Sequence, residues 1–222
     1  MNKYIGRLHF VTFQNTEIPI EQQVQEYCAG GGNWVQLRLK NKTEEEIISI
    51  ALKCQRICME HNATFIINDY VDIAKKIDAD GVHLGLNDCS VSEARKQLGE
   101  HKIIGATANT FEHIQQHVSE GVDYIGLGPF RFTQTKENLS PVLDFKGYMD
   151  IVSKCYTNKT DIPIIAIGGI TTEDIMPLYN TGIYGIALSS YIAKSKNIGL
   201  TTIDILSEIG KGQSVNFTKK KK

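Results

Sequence analysis

The strongest constraint on this chain lies near its end, in two apolar runs that stop on small residues. Pro163-Ile-Ile-Ala-Ile-Gly-Gly-Ile170 ends in Gly168-Gly169, just before a helix start at Thr171-Thr172-Glu173-Asp174. Gly185-Ile-Ala-Leu-Ser-Ser190 ends in Ser189-Ser190, again before a helical stretch. A buried strand that stops on small residues and feeds a helix leaves bare backbone N–H groups and a positive helix end at one spot, which suits a phosphate. Gly-Gly alone is also an ordinary tight turn. Two successive strand–helix units of this kind near the end of a 222-residue chain point to the phosphate site after strands seven and eight of a (β/α)8 barrel.

The rest of the chain supplies the other units. Apolar strands are expected over 7–12, 33–40, 64–67, 81–84, 102–107 and 122–127, then over 162–167 and 183–188. Helices alternate with them. One over 18–28 is closed by Gly30-Gly31-Gly32, and one from Thr43 to about 61 opens on the capping box Thr43-Glu-Glu-Glu46. Its apolar stripe is Ile47, Ala51, Cys54 and Cys58. Further helices are expected to 77, from Ser90 or Ser92 to 98, over 110–120, over 144–156, and after Asp174, where Pro177 falls in the first turn. Two short helical pieces with Gly199 between them finish the chain. The expectation is an α/β single-domain (β/α)8 TIM barrel over 1–210, followed by a disordered Lys-rich tail over 211–222. A flavodoxin-like sheet would leave strands over. The long connection 128–144 reads as a binding loop.

Composition narrows the function. With 41% hydrophobic residues and a net charge of −1, the chain has the core of a globular protein and no basic face for nucleic acid. No stretch is long and apolar enough to span a bilayer, and the first residues lack the apolar core of a signal peptide. Cysteines 28, 54, 58, 89 and 155 are scattered and odd in number, as for reduced thiols. A cytoplasmic protein is expected, and its oligomeric state is left open, a homo-oligomer included.

The chemistry-bearing residues gather at strand ends. Gln36, Arg38 and Lys40 share one face of the second strand, while Leu37 and Leu39 share the other. A Gln, an Arg and a Lys climbing one face toward the barrel mouth read as an anion site, since unpaired charges inside a fold are costly. Asp69 follows strand three and Asp88 follows strand four, so both lie on the C-terminal rim. Two carboxylates beside a cationic site suit Mg²⁺ bridging protein and a polyphosphate. Asn68 offers a hydrogen bond to a substrate heteroatom, and Thr107 a hydroxyl at the rim. Thr133-Gln-Thr-Lys136 on the long loop suits closure over an anion. His113 and His117 are one turn apart but lack a third ligand and read as surface residues. His83 reads equally as core or site. No Ser/His/Asp or Cys/His triad is readable.

Taken together, Gln36-Leu-Arg-Leu-Lys40, Ile67-Asn-Asp69, Gly81-Val-His-Leu-Gly-Leu-Asn-Asp88, Ile104-Gly-Ala-Thr-Ala-Asn-Thr110, Gly126-Leu-Gly-Pro-Phe-Arg-Phe-Thr-Gln-Thr-Lys136, Ile167-Gly-Gly-Ile170 and Ala187-Leu-Ser-Ser190 resemble the thiamine-phosphate synthase family, over residues 7–209. The resemblance implies an enzyme that joins an aminomethylpyrimidine diphosphate to a thiazole phosphate, giving thiamine phosphate and pyrophosphate. It implies that Gln36, Arg38, Lys40, Asn68 and Lys136 hold the pyrimidine diphosphate, and that Asp69 and Asp88 hold Mg²⁺. It assigns Thr133, Thr135, Gly169, Ser189 and Ser190 to the thiazole phosphate. Arg38, Lys40, Lys136 and Thr107 are the groups expected to act in catalysis. Thr107 stands where the family commonly has Ser, Asn109 where it has His, Leu39 for Glu, Leu86 for Gln, and Phe132 for Pro. The rival readings are a thiazole tautomerase on the same barrel and a non-catalytic thiazole-phosphate binding protein.

Overall fold

The computed structural model describes residues 3–132 and 141–219, with side chains to 211. Eight parallel strands close on themselves in chain order: β1 Leu8–Val11, β2 Trp34–Leu37, β3 Thr64–Asn68, β4 Gly81–Leu84, β5 Ile103–Ala108, β6 Tyr124–Leu127, β7 Ile164–Ile167 and β8 Gly185–Leu188. β8 returns to pair with β1, placing Leu8 beside Ile186 and Phe10 beside Leu188. The helices are α1 Ile20–Ala29, α2 Glu44–Glu60, α3 Val71–Lys76, α4 Val91–Leu98, α5 Phe111–Ser119, α6 Asp144–Thr157, α7 Ile175–Asn180, α8 Ser190–Ala193 and α9 Ile198–Lys219. The (β/α)8 barrel expected from the sequence is the observed fold.

Alternation along each strand divides the core in two. Leu8, Phe10, Val35, Leu37, Phe65 and Ile67 face the helix layer. Val11, Trp34 and Ile66 face the barrel interior, with Ile103, Tyr124 and Ile165. His9 lies flat on Trp34, with ring centroids 4.3 Å apart, and meets the edge of Tyr124. Gly105 makes room for that tyrosine, since a Cβ there would lie 2.1 Å from its Cζ. Aromatic rings thus plug the interior, and polar residues take over toward the C-terminal ends, at Gln36 and Asn68. The apolar stripe of α2 is Ile47, Ala51, Cys54 and Cys58, and Thr43 and Glu46 close its capping box. All five cysteines are free thiols.

Three expectations are corrected. β2 stops at Leu37 rather than at residue 40, because the next N–H groups leave the sheet. Arg38 N–H donates to Thr12 Oγ1 at 2.9 Å and Lys40 N–H to Gln14 Oε1 at 2.6 Å. Gly199 does not separate two helices. It lies in the first turn of α9, where Gly30 packs so close that a Cβ would sit 2.5 Å from Gly199 O. The break falls over 194–197, and Asn197 Oδ1 accepts from Leu200 N–H at 2.8 Å to start α9. Finally, α9 runs through Lys219, beyond the point at which a disordered tail was expected to begin. Residues 220–222 lie outside the described residues.

Candidate active site

The residues expected to form an anion site lie at the C-terminal ends of β2, β3 and β4. The parallel register sets Gln36 beside Ile66 on β3, and Gln36 Nε2 reaches Asn68 Oδ1 at 2.7 Å. Both side chains are buried. Two amides joined in this way present fixed polar edges. Arg38 is half-buried, its backbone held on both sides by Thr12 Oγ1. Lys40 pairs with Asp69. Asp69 sits in left-handed backbone at φ 69°, a region that Asp tolerates better than most residues. Its N–H donates to His83 O at 2.9 Å, which fixes the turn out of β3.

Asp88 lies on the short loop after β4. Its Oδ2 accepts from Gly85 N–H at 2.6 Å. Lost hydration, and then the neighbouring carboxyl of Asp69, push the Asp88 carboxyl above the usual carboxylate range, against the pull of the Gly85 bond. Gly85 forms the floor between the two acids, where a Cβ would fall 3.0 Å from Asp88 Oδ2 and 3.9 Å from Asp69 Oδ1. Two facing carboxylates over a bare glycine are hard oxygen donors suited to Mg²⁺, which commonly takes one or two protein carboxylates and completes its shell from water and phosphate. Among the described residues no group of three or more His, Cys, Asp or Glu could hold a metal ion. Two carboxylates leave positions open for water and phosphate, so the donor set fits an ion shared with a substrate.

A second cluster sits at β4, β5 and β6. His83 is buried, with Nε2 3.1 Å from Thr107 Oγ1 and Nδ1 3.0 Å from the Tyr124 hydroxyl. It is thus both core and support for a site hydroxyl. Gly126 admits its ring, since a Cβ there would lie 2.9 Å from His83 Cε1. The surface reading of His113 and His117 is corrected. His113 Nδ1 accepts from Asn109 N–H at 3.3 Å, and His117 Nε2 lies 3.0 Å from Thr107 O. Both brace the end of β5. The Asn109 amide donates to Gly128 O.

Across the barrel mouth lies the turn after β7. Gly168 and Gly169 both take left-handed backbone, at φ 101° and 66°. A Cβ on Gly168 would lie 2.8 Å from Pro129 Cα, and one on Gly169 would lie 2.8 Å from Arg131 Cβ. Only glycine lets the chain pass there. Ser189 and Ser190 follow β8, and Ser189 Oγ is buried without a hydrogen-bond partner among the described residues. A buried hydroxyl lacking a partner is costly unless a ligand supplies one. Beside the turn, Arg131 forms a two-pronged ion pair with Asp174. Neither residue was singled out for this in the sequence. Arg131 lay within a quoted motif, and Asp174 served only to mark a helix start. Nothing in local spacing joins them. Thr133, Thr135 and Lys136 lie outside the described residues.

A family model described as thiamine monophosphate synthase matches residues 8–192. The chain belongs to this family. Among curated relatives, the thiamine-phosphate synthase of Flavobacterium johnsoniae is 49% identical over 190 residues, covering 86% of this chain and 90% of its own length. That of Bacteroides thetaiotaomicron is 44% identical over 200 residues, covering 90% and 96%. Among solved structures, a thiamine phosphate pyrophosphorylase from Pyrococcus furiosus superimposes with a TM-score of 0.82 at 28% identity, over 93% of this chain and 96% of that one. The two clusters and the glycine turn all lie at the C-terminal ends of the strands, the face on which such barrels carry their active sites.

Proposed function

We propose that the chain is a thiamine-phosphate synthase, joining an aminomethylpyrimidine diphosphate to a thiazole phosphate and releasing pyrophosphate. The observation that carries this reading is the Asp69–Asp88 pair beside Lys40, set across the barrel mouth from the Gly168–Gly169 turn and the buried Ser189 hydroxyl. One side suits a metal-bound diphosphate and the other a phosphate monoester.

Asp69 and Asp88 would hold Mg²⁺, which when bound supplies positive charge to the diphosphate oxygens. The joined amides of Gln36 and Asn68 orient the pyrimidine by its ring heteroatoms. The bond from the pyrimidine methylene carbon to the diphosphate oxygen breaks, and the electron-rich aminopyrimidine bears the positive charge left behind. Pyrophosphate gathers negative charge as it departs. Arg38 and Lys40, with Lys136 from the long loop, stabilise that charge more at the transition state than before it. Thr107, held by His83, offers a hydroxyl to the same oxygens. The thiazole nitrogen then forms the new carbon–nitrogen bond, held at close range by its phosphate in the turn formed by Gly169, Ser189 and Ser190. Thr133 and Thr135 are assigned to the same phosphate. No protein base has to remove a proton, in keeping with histidines that serve as braces.

Among the described residues no helix is long and apolar enough to cross a membrane, and a cytoplasmic enzyme is part of the same reading. The deciding experiment is pyrophosphate release with both substrates, with and without EDTA. The expected result is release with formation of thiamine phosphate, abolished by EDTA and restored by Mg²⁺. A tautomerase would convert the thiazole without pyrophosphate or metal, and a binding protein would release nothing. Either outcome overturns the proposal.

A further inference from the structure

Arg131 grips the Gly168–Gly169 turn twice. Its backbone N–H donates to Gly168 O at 2.9 Å, and its Nη1 donates to Gly169 O at 3.3 Å. In a planar trans peptide the C=O and the following N–H point opposite ways. Fixing both carbonyls toward Arg131 therefore turns the N–H groups of Gly169 and Ile170 away from it.

The guanidinium is itself held. It lies over the Phe130 ring, 4.6 Å from the centroid, and Nη2 donates to Asp174 Oδ1 at 2.6 Å. Asp174 Oδ2 also accepts from Thr171 N–H at 2.9 Å and from Thr171 Oγ1 at 3.0 Å. One carboxylate thus ties Arg131 to the segment immediately after the glycine turn. The Asp174 side chain is only 5% exposed against 48% for Arg131, so the acid depends on this partner. Burial alone would raise the Asp174 carboxyl, but the Arg131 and Thr171 bonds outweigh it and hold the group below the ordinary carboxylate range. The pairing also cancels a negative charge that would otherwise stand beside a phosphate site.

We propose that Arg131 and Asp174 are a positioning pair for the acceptor's phosphate, Arg131 gripping the carbonyl side of the Gly168–Gly169 turn and Asp174 holding the guanidinium in place. The inference rests on the thiazole-phosphate assignment made under Proposed function. Neither residue touches substrate. Each acts through the turn.

The test compares Arg131→Met, Asp174→Asn and the double variant in the full chain. Arg131→Met should raise KM for thiazole phosphate about tenfold or more, because it removes the partner of the buried Asp174 carboxylate and a carbonyl contact to the turn. KM for the pyrimidine diphosphate should stay within about twofold, since that end is bound elsewhere. The double variant removes the orphaned charge, so it should regain thermal stability while the raised KM for thiazole phosphate persists. A purely structural pair would recover both together, and that outcome overturns the proposal, as does an equal rise in both KM values or no rise at all. Where Arg131→Met does not fold, Arg131→Lys keeps the charge without the fork and should give an intermediate KM; an unchanged one counts against the pair. Calorimetric binding of thiazole phosphate alone reads the same contrast without turnover. An inactive unmutated enzyme would sink the synthase reading, whereas an active one with no split between substrates would sink this inference alone.

Discussion

Asp88 carries a charge conflict within the fold. Its carboxyl sits above the usual range because of lost hydration and Asp69 beside it. The folded state therefore binds a proton more readily than the unfolded chain, and stability falls as pH rises through the window between the two pKa values. Above that window the cost is fully present. Asp88→Asn should accordingly raise the melting temperature at pH 7 while lowering turnover by roughly two to three orders of magnitude, as for a lost electrostatic stabiliser. Calorimetric melting and steady-state kinetics check the two halves, and a variant both less stable and active would refute them. Much at this scale could be read from the sequence. Strand alternation put Gln36 on the inward face, but its hydrogen bond to Asn68 comes from the parallel register of β2 on β3 and was not readable. The Arg131–Asp174 bridge was not readable, because its partners come from two separate turns and meet only when β6 and β7 lie side by side.

Among the elements, α4 starts three residues beyond Asp88, with its cap Ser90 two residues on, and so helps to set where that carboxylate points. Ser90 Oγ accepts from Glu93 N–H at 3.2 Å, and the Glu93 carboxylate accepts from Ser90 N–H at 3.0 Å. Ser90→Ala should lower unfolding free energy by about 1 kcal/mol, read from urea denaturation. Ser92→Ala should cost less, since Ser92 is not the cap. The sequence left those two serines undecided because either could precede an apolar residue, and only the hydrogen bonds choose. Where local signals were strong, the elements matched, as at the Thr43–Glu46 box and the apolar stripe of α2. The errors came where side chains elsewhere intervened. Thr12 and Gln14 captured the N–H groups that would have extended β2. Gly199 proved to be a close-packing residue against Gly30 rather than a breaker.

For the whole molecule, closure of the barrel puts His9 in a dry interior, between Trp34 and Tyr124. Burial is the main cause, and it lowers the His9 pKa to about 3. The unfolded chain takes up a proton near its ordinary pKa of about 6.5 while the folded protein does not, so stability is intact above that pH and declines as pH falls toward 3. The slope from this one group is about 1.4 kcal/mol per pH unit. His9→Gln should flatten the loss between pH 7 and pH 5, measured as the shift in urea midpoint, and an unchanged slope would show that His9 is not its source. The ring has a further consequence. Apart from the loop after β6, which carries residues assigned to both reactants, the donor's residues lie on β2 to β5 and their loops, and those of the acceptor's phosphate on the turns after β7 and β8. Outside that loop, recognition of the two reactants is written in separate stretches of sequence. Such a barrel can drift toward a new acceptor by changing the turns after β7 and β8, leaving untouched the stretch that expels the leaving group.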